Sequence, residues 1–187
     1  MKTMRIITML GLLAALFMTS SMNAQRRVVV KTPGRTVVRT TNARVVYRRP
    51  VPVVRVVRTL PATTVVIKRN GLQYHYYNGL YYRSYNGSYV VVAAPYGVRI
   101  KVLPVGYHRI VYLGTPYFYY QGNYYVEVSG SYKTVEAPEN IVVSELPEEA
   151  EQVDIDGKMY YEYSETLYKV VTTPEGKAFK AVGNLKD

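Results

Sequence analysis

An all-β fold is what this sequence predicts: three tandem repeats that follow an N-terminal signal helix and an extended basic arm. Two observations carry that expectation. First, landmarks recur every 43 residues: Leu60-Pro61, Leu103-Pro104 and Leu146-Pro147; Gly71, Gly114 and Gly157; Tyr74, Tyr117 and Tyr160; Tyr77, Tyr120 and Tyr163; Tyr82, Tyr125 and Tyr168. An ungapped period over so many positions marks internal duplication. Second, Asn-Gly stands at 70–71, 78–79 and 86–87, a step of eight. Asn-Gly favours the two-residue hairpin turn, whose central residues both need positive φ. Such turns leave short runs rich in Tyr, Val and Leu between them, of ordinary strand length and composition.

Each repeat is therefore expected to be an antiparallel meander of about four short strands. In the first, residues 60–102, the strands are Thr63–Arg69, Leu72–Tyr77, Leu80–Tyr85 and Ser88–Ala94, with a short Val98–Leu103 leading onward. The second, residues 103–145, gives Arg109–Leu113, Pro116–Tyr120, Asn123–Val128, Ser131–Ala137 and Ile141–Glu145. The third, residues 146–187, gives Gln152–Ile155, Lys158–Tyr163, Thr166–Val171 and Ala178–Val182. It diverges from the other two: Gly79 and Gly122 become Glu165. A unit of this size cannot bury a sufficient core alone, so the repeats are expected to pack on one another or to associate between chains. Three units are too few to close the usual propeller ring, which favours a linear array of twisted sheets or barrel-like modules.

Ahead of the repeats lie two other materials. Residues 1–24 read as a secretory signal peptide: Lys2 and Arg5, then an uncharged apolar core from Ile6 to Met18, then a polar stretch ending at the small Ala24. That core spans roughly 20 Å as a helix, short of the ~30 Å hydrocarbon layer, so no transmembrane span is expected after cleavage. Residues 25–59 form an extended or disordered arm holding ten basic residues, twelve Val and no acid. Pro33, Pro50 and Pro52 interrupt any strand in it. The arm is expected to contact acidic surfaces through Arg26, Arg27, Arg48, Arg49, Arg55 and Arg58. Anionic envelope material and the chain's own acidic end both fit, while export argues against nucleic acid.

Charge is graded along the array. The first repeat has five basic residues and no acid, the second two and four, the third five and nine. This polarity favours head-to-tail contact, within one chain or between chains.

The chemical inventory is thin. There is no Cys, which removes disulfides, thiolate catalysis and cysteine metal sites. His75 and His108 occupy non-equivalent positions in their repeats and lack ligand spacing. Asp154 and Asp156 share a strand face but lack the remaining ligands of a calcium loop. The glycines fall singly in turns, so no phosphate cradle is present. No enzyme, cofactor, metal or catalytic residue is expected. The aromatic set is almost all Tyr, 21 against three Phe and no Trp. Rings of this kind serve either as the cross-strand ladder of the sheets or as a sugar-stacking surface. A solvent-facing row of Tyr76, Tyr81, Tyr119 and Tyr124 would mark a glycan or peptidoglycan binding module; the same rings buried between repeats would mark a scaffold.

The segments V-V-I-K-R-N-G at 65–71, Y-H-Y-Y-N-G-L-Y-Y at 74–82, G-S-Y-V-V-V-A-A-P at 87–95 and L-P-V-G-Y at 103–107 resemble an uncharacterised family of exported Tyr/Gly-repeat proteins, a domain of unknown function typical of Bacteroidetes-type Gram-negative bacteria. The resemblance implies a periplasmic or outer-envelope location and brings no activity, ligand or site residue. The reading is a non-enzymatic envelope protein with a structural, scaffolding or binding role. Its expected partners are anionic surfaces, glycans, proteins or other copies of itself.

Overall fold

The computed structural model describes residues 28–32, 35–39, 44–48 and 54–185; residues 1–24, Arg26, Arg27 and Arg49 lie outside them. The described residues are all-β and hold no helix, and their strands form three antiparallel sheets.

The first sheet contains β4 (Val56–Val57), β5 (Val65–Arg69), β6 (Leu72–Tyr77), β7 (Leu80–Tyr85) and β8 (Ser88–Val92). The second contains β9 (Arg99–Ile100), β10 (His108–Tyr112), β11 (Thr115–Tyr120), β12 (Asn123–Val128) and β13 (Ser131–Val135). The third contains β14 (Val142–Val143), β15 (Glu151–Ile155), β16 (Lys158–Tyr163), β17 (Thr166–Thr173) and β18 (Gly176–Asn184). In each sheet the four later strands form a meander. The short leading strand pairs with the last of them: β4 with β8, β9 with β13, β14 with β18. Each sheet therefore takes its outer strand from residues ahead of its Leu-Pro pair, and the tail of the basic arm builds the first sheet.

The rest of the arm is more regular than its prolines and charge imply. β1 (Val28–Thr32), β2 (Arg35–Arg39) and β3 (Arg44–Tyr47) form an antiparallel set. β3 then pairs with β15, opposing Val46 to Asp154, and extends the third sheet to eight strands. β1 stops at Thr32 and β2 starts at Arg35, so Pro33 falls outside both strands. Val45 and Val153 are fully buried where the two ends of the chain meet.

The turns explain the register. Asn70-Gly71, Asn78-Gly79 and Asn86-Gly87 all have positive φ at both residues, as the hairpin turn requires. The later repeats keep that backbone after Asn is lost: Leu113-Gly114, Gln121-Gly122, Ser129-Gly130, Asp156-Gly157 and Ser164-Glu165 have the same signs. A fixed two-residue turn fixes the pairing, so Tyr76 lies opposite Tyr81, Tyr119 opposite Tyr124, and Glu162 opposite Leu167.

Candidate functional site

Strand alternation gives every sheet two distinct faces. On the forward face of the first sheet, Val65, Tyr76, Tyr81 and Val92 stand in one row across β5–β8. On its back face the next row is Val66, His75, Tyr82 and Val91. The forward face of one sheet packs on the back face of the next. At the first seam Tyr76 packs against a cluster of Ile100, Leu103, Phe118 and Tyr125. At the second, Tyr119 and Tyr124 join Ile141, Val143, Tyr163, Tyr168 and Phe179.

Of the two arrangements weighed for Tyr76, Tyr81, Tyr119 and Tyr124, a solvent-facing row or burial between repeats, the second is found: the four line these seams. Tyr81, Tyr119 and Tyr124 are buried, with at most 2% of their surface exposed. Tyr76 is half-buried. Tyr76 and Tyr81 form a ring pair with centroids 4.9 Å apart, and Tyr119 and Tyr124 form the matching pair at 5.0 Å. The sequence left that choice open for a simple reason. Tyr lies on both faces of each hairpin, so composition does not show which face the neighbouring sheet covers.

Polar atoms at the seams are mostly paired. Tyr119 Oη donates to the Glu145 carbonyl at 2.7 Å, and the hydroxyls of Tyr124 and Tyr168 lie 3.3 Å apart. The Ala94 N–H donates to Asn123 Oδ1 at 2.9 Å, tying the end of the first meander to the second sheet. Tyr81 and Tyr125 occupy the first-seam positions equivalent to Tyr124 and Tyr168; their buried hydroxyls interact with each other and lack a well-formed hydrogen bond among the described residues. Burial pushes up the hydroxyls of Tyr81, Tyr119, Tyr124, Tyr125 and Tyr163. Tyr168 is raised to about 12, burial outweighing its hydrogen bonds to Tyr124 and Thr166.

A glycine-centred fit sits at the edge of each seam. A Cβ on Gly79 would lie 2.5 Å from Pro104 Cβ and 2.6 Å from Tyr120 Cε1. A Cβ on Gly122 would lie 2.2 Å from Tyr163 Cε1 and 3.0 Å from Pro147 Cγ. The Leu-Pro pair and the last tyrosine of each middle hairpin strand thus form a plug, and the preceding repeat's turn glycine is its socket. Both residue types were legible as repeat markers; their contact across repeats was not.

Of the basic residues expected to meet acidic surfaces, two reach the chain's own acidic unit. Arg55 Nε donates to Glu149 Oε1, and Arg55 Nη2 donates to Glu149 Oε2 at 3.0 Å and to Gln121 Oε1 at 3.3 Å. This latch joins residues of all three units. The Glu149 hydrogen bond, opposed by burial, raises the Arg55 pKa and keeps the guanidinium charged. Arg48 Nη2 lies 3.7 Å from Asp154 Oδ2. Arg58 is exposed.

Other candidate residues have local roles. Asp154 Oδ1 accepts the Gly157 N–H at 2.8 Å and so braces the turn. His75 meets Tyr89 edge-on at 4.9 Å, and His108 Nε2 lies 3.9 Å from Glu145 Oε1. Among the described residues no three His, Asp or Glu side chains are grouped to hold a metal, and no helix is long and apolar enough to cross a membrane. An open groove of about 530 Å³ runs beside β13 between Tyr96, Tyr117, Lys133 and Glu136.

These features define an all-β array with aromatic seams. The chain belongs to a family of unknown function (DUF6515), which it matches over residues 35–184. No curated protein and no solved structure matches it.

Proposed function

We infer that the protein is a non-enzymatic scaffold of the cell envelope, exported by residues 1–24 and held in the periplasm or at the outer envelope. The observation that carries this reading is the burial of Tyr81, Tyr119 and Tyr124 between sheets. Rings that would stack on sugars are committed to holding the repeats together. The arm supports the same reading, because Arg48 and Arg55 meet acids of the chain's own third unit. The net positive charge, +11 for the whole chain and +9 without Lys2 and Arg5 of the export segment, suits an anionic envelope surface.

The test is capture of the purified chain by envelope fractions and by purified glycans, at low and high salt. The scaffold reading expects salt-sensitive retention on envelope fractions and none on neutral glycans. Saturable binding to a neutral glycan, resistant to salt, would replace it with the binding-module reading.

A further inference from the structure

The first strand of each meander presents the same kind of edge, and the three edges meet different fates. β5, β10 and β15 each run into a two-residue turn, so Arg69 stands opposite Leu72, Tyr112 opposite Thr115 and Ile155 opposite Lys158. In such a hairpin the residues flanking the turn exchange backbone hydrogen bonds, and alternate residues point theirs outward. The outward residues are therefore Val66 and Lys68 in β5, Arg109 and Val111 in β10, and Gln152 and Asp154 in β15. The 43-residue period makes these positions equivalent.

The chain fills its third edge by itself. Val46 stands opposite Asp154, and the Arg48 N–H donates to the Gln152 carbonyl at 3.0 Å. The other two edges have no strand beyond them among the described residues. β5 carries Lys68 at an outward position with Arg69 beside it, a guard against edge pairing. β10 has Val111 in place of Lys68, and its side chain is 58% exposed. The flanks of β10 add apolar surface: Leu113 is 86% exposed and Tyr107 43%. Leu113 holds φ 47°, a backbone state in which leucine has no local advantage. The second edge is thus neither filled nor guarded.

We propose that β10 pairs with β10 of a second copy of this chain, antiparallel about a two-fold axis, joining two five-stranded sheets into one. The strand is self-complementary in the register that sets Ile110 opposite the partner's Ile110. Arg109 then exchanges backbone hydrogen bonds with the partner's Val111, and Val111 with the partner's Arg109. His108 faces the partner's Tyr112, and Leu113 comes beside the partner's Tyr107. No like charges stand directly opposite each other, which edge pairing requires. Arg109 and Val111 share the face of Phe118, and the Tyr107 ring meets Phe118 edge-on at 5.6 Å. The exposed Val111 and Tyr107 of both copies therefore gather on one face of the joint, with Leu113 at its rim. The contact repeats what β3 does on β15, with the added strand supplied by another chain. A two-fold contact of this kind closes at two copies.

Sedimentation of the purified chain over a concentration series tests the pairing. The contact is short and of the weak class, so the series runs to about 1 mM. The expected result is a shift from monomer to dimer mass as concentration rises, reversed by dilution. Val111→Lys gives β10 the guard that β5 has and should keep the chain monomeric. Val66→Lys, the same change at an exposed edge position of β5, should leave dimerisation untouched. Leu113→Asn should weaken dimerisation, while its gain in stability is read on the dilute monomer. Monomer throughout the series, dimers that survive Val111→Lys, dimers lost to Val66→Lys, or growth past two copies through β1 or another edge would overturn the proposal. Capture on envelope fractions is scored separately, so the scaffold reading and this pairing fail independently.

Discussion

The ring of Tyr163 closes over Gly122 so tightly that a Cβ on residue 122 would sit 2.2 Å from Tyr163 Cε1. The turn glycine has two separate duties there: it holds a positive φ, and it leaves room for the next repeat. Two substitutions separate them. Gly114→Ala meets nothing within 4 Å and should cost only the left-handed backbone term, about 1 kcal/mol. Gly122→Ala adds the displacement of a buried ring and should cost about 2–4 kcal/mol. Chemical denaturation of both variants measures the difference; equal losses would remove the close-approach argument.

Leu113 makes the opposite case. It holds φ 47° with its side chain 86% exposed, in a turn where the first repeat uses Asn. Leu113→Asn gives up almost no buried surface and relieves an unfavourable backbone state. It should stabilise the protein by about 0.5–1 kcal/mol, read as a higher denaturation midpoint.

The latch between Arg55 and Glu149 ties the first unit to the third. The Glu149 side chain is only 10% exposed, so removing its partner leaves a charge poorly solvated. Arg55→Ala should cost roughly 2 kcal/mol, in the range of hydrogen bonds to charged groups. Adding Glu149→Gln should recover part of that loss. Additive losses in the double-mutant cycle would show that the pair is not coupled.

Alkali should unfold the protein through its seams. The Tyr168 hydroxyl is raised by burial from 10.0 to about 12. A phenol raised in the folded state contributes its full stabilisation below pH 10. That contribution then declines as pH rises from 10 towards 12, by about 1.4 kcal/mol per pH unit for each such group. Stability should therefore fall steeply above pH 10, with cooperative appearance of tyrosinate absorbance. Tyr168→Phe should flatten the fall, and an unchanged slope would count against Tyr168 as a contributor.

The two seams differ in their hydroxyls. Tyr119 donates to the Glu145 carbonyl, whereas the buried Tyr125 hydroxyl meets that of Tyr81 without a well-formed hydrogen bond among the described residues. Tyr119→Phe should cost about 1 kcal/mol, the usual net contribution of one hydrogen bond. Tyr125→Phe should cost less than Tyr119→Phe, because it removes a polar atom that is poorly compensated. Thermal denaturation of both variants measures the contrast, and equal losses would contradict it.

Local structure was plain in the sequence because the turns dictate it. Leu72–Tyr77, Leu80–Tyr85, Asn123–Val128 and Lys158–Tyr163 are strands with the bounds that turn spacing gives. The long-range pairings were not legible. Nothing local in Arg99–Ile100 says that it joins β13, four strands later in the chain, and nothing in Arg44–Tyr47 names β15 as its neighbour. The choice between Tyr76 with Tyr81 and His75 with Tyr82 as the inward rows was equally hidden.

The pairing of β3 with β15 also sets a timetable. Val46 cannot meet Asp154 until the chain has been made past β15. The first two sheets contain their own strands and can close as they emerge. The third must wait, while β3 offers an unpaired edge to whatever lies nearby. Contacts between such distant residues form slowly. The step that completes the third sheet is thus the slowest and the most open to mispairing, and a chain truncated before β15 would leave that edge permanently unfilled.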